Sequence, residues 1–302
     1  MVLVQEAFKG EQHWLKGGLH CHTTRSDGVG TPEEVIRFHV DHGYDFLALT
    51  DHQIYNFKNF TDLPITIIPG MEMARSIKDR RYGNCFHTVC IGPAEGNGYR
   101  QDEVFENGVV EDQYEYQAIL DDIHARHNLT FYCHPEWSFT PAQSFMHMKG
   151  NFAMEIWNSA SVLFNDEDGN AAYWDELLWS GQKIWGVATD DGHAMHDHCH
   201  GWVMVNAENN IPAILEALKE GRFYSSTGPE IYDFHAEDGV AKVTCSPVSK
   251  VQFSSWTLPT RMIKGENLTT WEKEIPERCK YVRACVIDSE GHRAWTNPVF
   301  LP

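Results

Sequence analysis

Residues 1–229 predict an α/β fold on a mainly parallel sheet, and residues 230–302 predict a small β-sandwich domain. Three observations lead there. Apolar strand-like runs alternate with helical segments over roughly seven units, the pattern that right-handed crossovers produce. Side chains of metal-ligand type gather at the C-terminal ends of the predicted strands, where a closed α/β barrel keeps its active site. After Pro229 the helical segments stop and short alternating segments take over. An open doubly wound sheet is the structural alternative, but it does not easily bring the ends of six non-adjacent strands to one point.

Taken in order, the first strand runs from His13 to His22. Thr31-Pro32-Glu33-Glu34 opens a helix, with Thr31 as cap, Pro32 in the first position and Glu34 closing a capping box. Ile36, His39 and Val40 form its buried stripe, and Gly43 ends it. Strands follow at 44–52, ending in Asp51 and His52, at 65–72, ending in Glu72, and at 85–91, containing His87. The polar, glycine-rich stretch 95–111 reads as a loop or lid, and 112–128 as a helix. Strands at 129–135 and 152–158 precede a helix at 170–180. The strand at 183–193 ends in Asp190-Asp191-Gly192-His193, and a short strand at 201–207 leads to a helix at 211–220. Beyond Pro229 the strands are 240–245, 251–253 and 281–287.

The 302 residues are 42% apolar, enough for a substantial core, and carry a formal net charge of −19. Such a chain repels polyanions, so duplex nucleic acid is not an expected partner. No run of 18 apolar residues exists, so no membrane span is expected. The start of the chain lacks a charged segment followed by an apolar one, so the expectation is a cytoplasmic protein. Its eight cysteines form no Cys-x-x-Cys pair and read as reduced, mostly buried thiols. Cys21 and Cys133 adjoin candidate ligands but point to the opposite face of their strands, into packing.

His20 and His22 lie two residues apart, so on a strand both rings face one side, roughly 6–7 Å from each other at ~3.3 Å per residue. Asp27 follows on a Ser-Asp-Gly turn and adds an oxygen donor. A lone His-x-His is usually an ordinary packed pair. Here it is joined at other strand ends by His52, Glu72, His87, His134, Asp191 and His193. Burying so many ionisable groups together is costly unless metal ions pair with them. Six imidazoles and three carboxylates suit zinc, manganese or iron better than magnesium or calcium alone.

These motifs resemble the PHP (polymerase and histidinol phosphatase) domain family. The resemblance rests on Leu19-His20-Cys21-His22 with Ser26-Asp27-Gly28, on Leu49-Thr50-Asp51-His52, Gly70-Met71-Glu72 and His87, and on Cys133-His134-Pro135 and Asp191-Gly192-His193. They stand in the family's order. The stretches 221–229 and 294–298 further resemble stand-alone PHP phosphoesterases with a C-terminal β-domain. The resemblance implies a distorted (β/α)7 barrel, two to three divalent ions in a trinuclear site, and hydrolysis of a small phosphorylated metabolite, nucleotide or oligonucleotide end. By the same resemblance His20, His22, Glu72 and Asp191 hold one ion. Glu72 bridges to a second, held also by His87 and His134, and Asp27, His52 and His193 hold the third.

Asp51 reads as a residue that orients ligands, and Asp190 as turned away from the ions or supporting them. His196, His198 and His200 read as loop histidines. Arg25, Arg75 and Arg222 are the candidate phosphate-binding cations. Two rival readings remain at this point. An amidohydrolase also begins with His-x-His, but commonly bridges its metals with a modified lysine on the fourth strand, where this chain has His87. A metal-stabilised, non-catalytic scaffold is the other. Oligomeric state is undetermined.

Overall fold

The computed structural model describes residues 2–95, 97–167, 169–255 and 258–302. Gly96, in the expected 95–111 loop, lies outside the described residues. The fold is mixed α/β with a β-rich C-terminal region. No helix is long and apolar enough to cross a membrane.

The chain starts with β1 (Val2–Val4) and β2 (Trp14–Gly18), then α1 (Pro32–Asp41). The capping box on α1 is complete: Thr31 accepts from the Glu34 amide and the Glu34 carboxylate accepts from the Thr31 amide. Val35, Ile36 and His39 face the interior. Next come β3 (Phe46–Ala48), β4 (Ile54–Tyr55) and β5 (Thr66–Ile68). Strand β6 (Gly70–Ile77) follows after one residue, Pro69, then β7 (Cys85–Ile91), β8 (Glu103–Val104) and β9 (Gly108–Val110). Helix α2 (Gln113–Ala125) leads to β10 (Leu129–Tyr132), α3 (Ala142–Phe145), β11 (Asn151–Asn158), α4 (Ala171–Trp179) and β12 (Trp185–Thr189). Strand β13 (Trp202–Asn206) and α5 (Ile211–Glu220) complete this part.

The sheet expected to be parallel is only partly so. Strands β2, β3 and β5 pair in parallel, as do β10, β11 and β12. But β7 runs antiparallel to both neighbours, β6 and β10, and β13 runs antiparallel to β2. The reason is chain length: β6 continues past Glu72 to Ile77, leaving seven residues before Cys85. A parallel crossover needs a dozen or more.

The expected strand 65–72 is likewise two strands in two sheets. Proline has no amide to donate to a ladder, and the break falls on Pro69. Strands β12-β11-β10-β7-β6-β9 form one sheet; β5-β3-β2-β13 belong to another. At their ends the sheets meet through single bridges, Cys21 with Gly192 and His52 with Glu72. Among the described residues no continuous ladder closes them into a barrel. Leu19, Phe46, Ile68, Val89, Phe131 and Val187 form a fully buried core drawn from both.

The C-terminal region comprises β14 (Phe223–Ser226), β15 (Ile231–Glu237), β16 (Val240–Ser255), β17 (Leu258–Glu274), β18 (Tyr281–Ile287), β19 (Arg293–Thr296) and β20 (Val299–Phe300). The expected 240–245 and 251–253 segments are one bulged strand, β16. The ladder runs β1-β15-β16-β18-β19-β14-β13-β2, so these strands are hydrogen-bonded, through β14 and β13, to the strand that leads into His20. Phe234, Val243, Val251, Phe253 and Val286 form this region's own apolar core.

Candidate metal centre

His20 and His22 stand just beyond β2, where the ladders give way to crossing hydrogen bonds. The Asp191 amide donates to the His20 carbonyl at 3.0 Å, the His22 amide to the Gly192 carbonyl at 2.9 Å, and the Thr50 amide to the Cys21 carbonyl at 3.0 Å. The ends of β2, β3 and β12 are thereby tied together. Cys21 is buried and its thiol donates to the Ala48 carbonyl at 3.3 Å. Asp51 clamps the next turn: its carboxylate accepts from the Thr23 and Ser26 amides, at 2.8 and 3.1 Å, and from both hydroxyls. That turn carries Asp27.

All nine ligand-type side chains come together. His20 Nε2 lies 3.4 Å from Glu72 Oε2 and 3.2 Å from Asp191 Oδ1. His22 Nε2 lies 3.4 and 2.9 Å from the same two oxygens, and 3.3 Å from His20 Nε2. The other Glu72 oxygen, Oε1, is 2.8 Å from His87 Nδ1 and 3.2 Å from His134 Nε2. Asp27 lies 3.5 Å from His193 Nε2 and 3.6 Å from His52 Nε2. His52 also turns Nδ1 to within 2.8 Å of Glu72 Oε2. His134 and Asp191 both have left-handed backbone, φ +24° and +53°. Such a conformation costs a residue other than glycine on the order of 1–3 kcal/mol, and it recurs at functional sites.

The donor set fits metal ions on a specific observation. Glu72 Oε2 is fully buried, has imidazole nitrogens of His20, His22 and His52 around it, and makes no hydrogen bond. His52 Nδ1, its nearest neighbour, makes none either. Donor atoms that crowd together without hydrogen-bond alignment are arranged as ligands of a common cation are. Zinc-to-nitrogen and zinc-to-oxygen bonds of about 2.0–2.2 Å place neighbouring ligands about 3 Å apart.

The electrostatics agree. Burial raises Glu72's carboxyl, but His52, His87 and His20 outweigh it and hold the group well below the usual carboxylate range. Burial lowers His22 and His87, yet Asp191 and Glu72 push His22 up to about 9, and Glu72 pushes His87 up to about 10. Asp191, opposed by burial, is held far down by His20 and His22. Without ions, these carboxylates are balanced by protons on the imidazoles.

Glu155 is the important residue that sequence reasoning passed over. It is fully buried, with Oε1 2.6 Å from His20 Nδ1 and accepting from Thr189 Oγ1 at 2.6 Å. Its Oε2 accepts from the His134 amide at 2.8 Å and from Asn158 Nδ2 at 3.0 Å. It thus fixes the ring of His20 and the backbone of His134, the part an outer carboxylate plays behind a metal-bound histidine. The signal was present as one charged residue inside the apolar run Phe152-Ala153-Met154-Glu155-Ile156-Trp157.

A cavity of about 180 Å³ opens over the cluster, lined by seven of the nine residues together with Trp137, Ala160, Ser161 and Asn165. His20 and His22 are buried outside this lining. The Trp137 ring sits 5.0 Å from His134 and 5.7 Å from His87. Among the described residues, no lysine or arginine lines it. Arg25 is paired with Asp102 and donates to Asn56 at 2.8 Å. Arg75 donates to the Ala74 carbonyl at 2.6 Å, and Arg222 pairs with Glu220 at 2.8 Å. Asp190 accepts from the Cys199, His200 and Gly201 amides at 2.6, 3.0 and 2.7 Å, clamping the loop beyond His193. His196 and His200 pack against Phe164, while His198 is buried.

Residues 18–164 match the PHP domain family. This stretch is similar to a PHP domain. Among solved structures it is similar to a two-domain protein from Bacteroides vulgatus that contains a predicted PHP-like metal-dependent phosphoesterase, at 14% identity over 95% of each chain, with a TM-score of 0.49. It is also similar to PsfC from Pseudomonas syringae, at 12% identity over 69% of this chain and 87% of that one, TM-score 0.46. A third is an amidohydrolase from Chromobacterium violaceum with bound sulfate and no metal, at 13% identity over 59% and 87%, TM-score 0.41. No curated protein matches. The family match and the histidine-rich clusters of the chain support a metal-dependent hydrolase.

Proposed function

We propose that the PHP-like region hydrolyses phosphoesters of small molecules or chain ends with the help of two to three divalent ions. The observation that carries this is Glu72, whose two oxygens face two different sets of donors. In this reading His20, His22, Glu72 and Asp191 hold one ion, Glu72 with His87 and His134 a second, and Asp27, His52 and His193 a third. Bound ions would supply Lewis acidity toward the ester oxygens and lower the pKa of water for attack.

The protein's own contribution is placement. Glu155 and the crossing backbone bonds hold His20 and His134 in fixed orientations. Asp51 holds the turn that presents Asp27, and Asp190 holds the loop that follows His193. The small cavity suits the phosphoryl end of a substrate, since pockets that enclose a whole drug-sized ligand span roughly 300–1,000 Å³. With no lysine or arginine lining it among the described residues, and its histidines taken up as ligands, the charge of a phosphate falls to the ions.

The test is a screen of phosphorylated metabolites and short oligonucleotides against protein loaded with manganese, zinc or iron. Turnover lost on Glu72→Ala supports the proposal. A fully loaded protein inert to every phosphoester but active on amides or carbamates would replace it with a C–N hydrolase. One inert to both classes would leave a metal-stabilised scaffold.

A further inference from the structure

Outside the cavity lining, and joined to the cluster through the adjacent Asp190-Asp191 pair, lies a second group of ligand-type residues. His39 comes from α1, Asp190 from the end of β12 and His198 from the loop beyond. Their exposures are 1%, 3% and 2%. One ligand atom from each lies within 4.8 Å of the others. None of the three is among the nine residues above.

Each is prepared for a ligand role in its own way. His39 Nδ1 is 2.8 Å from the Val35 carbonyl, which can only accept, so Nδ1 carries the hydrogen and Nε2 keeps its lone pair. That is the tautomer which metal-binding histidines are given by a backbone carbonyl. Asp190 is fixed by three loop amides, two on Oδ1 and one on Oδ2, which leaves a lone pair on Oδ2. His198 is the decisive member. Neither of its ring nitrogens has a hydrogen-bond partner, although both are buried. Its ring rests on Gly192, where a Cβ would come within 2.3 Å of Nδ1, and its centroid is 5.2 Å from that of His39. An imidazole stripped of water on both nitrogens is costly unless something is bound there.

We propose that His39, Asp190 and His198 hold one transition-metal ion of their own, separate from the cavity cluster. Two imidazoles and one carboxylate suit zinc or ferrous iron. Being enclosed, the ion would be structural: it ties α1 to the loop that follows His193. The inference rests on these three residues and stands or falls independently of the phosphoesterase reading.

The experiment counts metal in the full chain after zinc loading and gel filtration, by plasma mass spectrometry. Glu72→Gln with Asp27→Asn and Asp191→Asn takes all three carboxylates out of the cavity cluster, and this variant is expected to keep one zinc per chain. Adding His39→Gln, a residue outside the cavity lining, is expected to remove it. A cluster variant that retains no zinc, or retains zinc that His39→Gln does not release, overturns the inference. Should either variant not fold, anomalous diffraction at the zinc edge from the parent protein decides: a peak among His39, Asp190 and His198 supports the site, and its absence there rejects it.

Discussion

Asp191 faces an open cavity and four imidazoles, His20, His22, His134 and His193. Asp190, one residue earlier, faces three backbone amides and a sealed interior shared with His39 and His198. Their carboxyls move in opposite directions. The histidines hold Asp191 far below the usual range against the effect of burial. At Asp190 burial prevails over the amides and pushes the group up to about 6. The same side chain, at adjacent positions, is on one side part of a donor set with access to solvent and on the other the anchor of a loop. Residue type names the available chemistry; neighbours and access decide which part of it is used.

The largest expected difference between the two sides is catalytic. Glu72→Gln removes the carboxylate shared by two donor sets, and hydrolysis should fall by about 10³-fold or more. Activity within tenfold of the parent, measured at saturating manganese, would show that Glu72 is not shared between ions. The next effect is on pH. His22 and His87, with pKa values of about 9 and about 10, carry protons at neutral pH in the metal-free protein. An incoming ion must displace them, so affinity should rise with pH by about tenfold per unit for each proton released, levelling off above pH 9–10. Calorimetry in buffers of different ionisation enthalpy measures those protons, and a pH-independent affinity would contradict the shifts. Third, Glu155→Gln leaves every donor in place but loosens His20, at an expected cost of about 10- to 100-fold in metal affinity or turnover. An unchanged metal titration would mean that the Glu155–His20 contact does not matter to binding. Smallest is Asp190→Asn, which keeps one acceptor oxygen for three amides. Urea unfolding should show a loss of about 1–3 kcal/mol.

Much of the candidate site was legible because its motifs are short and lie at strand ends. His20-x-His22 and Asp191-x-His193 need only local geometry to be recognised. The strand directions were less accessible. Met73 to Ile77 mixes polar and apolar residues, which hid the second half of β6 and with it the short turn that makes β7 antiparallel. Long side chains were least legible of all. Arg75 and Arg222 lie close to promising motifs in sequence, yet where a guanidinium reaches depends on rotamers and tertiary partners: one bonds to the Ala74 carbonyl and the other to Glu220. Glu155 stood in plain sight, but only its contacts with His20 and His134 give it meaning.

The pairing of β14 with β19 bears on how this protein can be cut. A fragment ending at Pro229 would lose β19 and leave the amides and carbonyls of β14 that face it bare along a raw sheet margin. Unprotected margins of that kind recruit other chains. Expressed without its last 73 residues, the histidine-bearing half should therefore tend to precipitate or self-associate, even though no donor from the cavity has been removed.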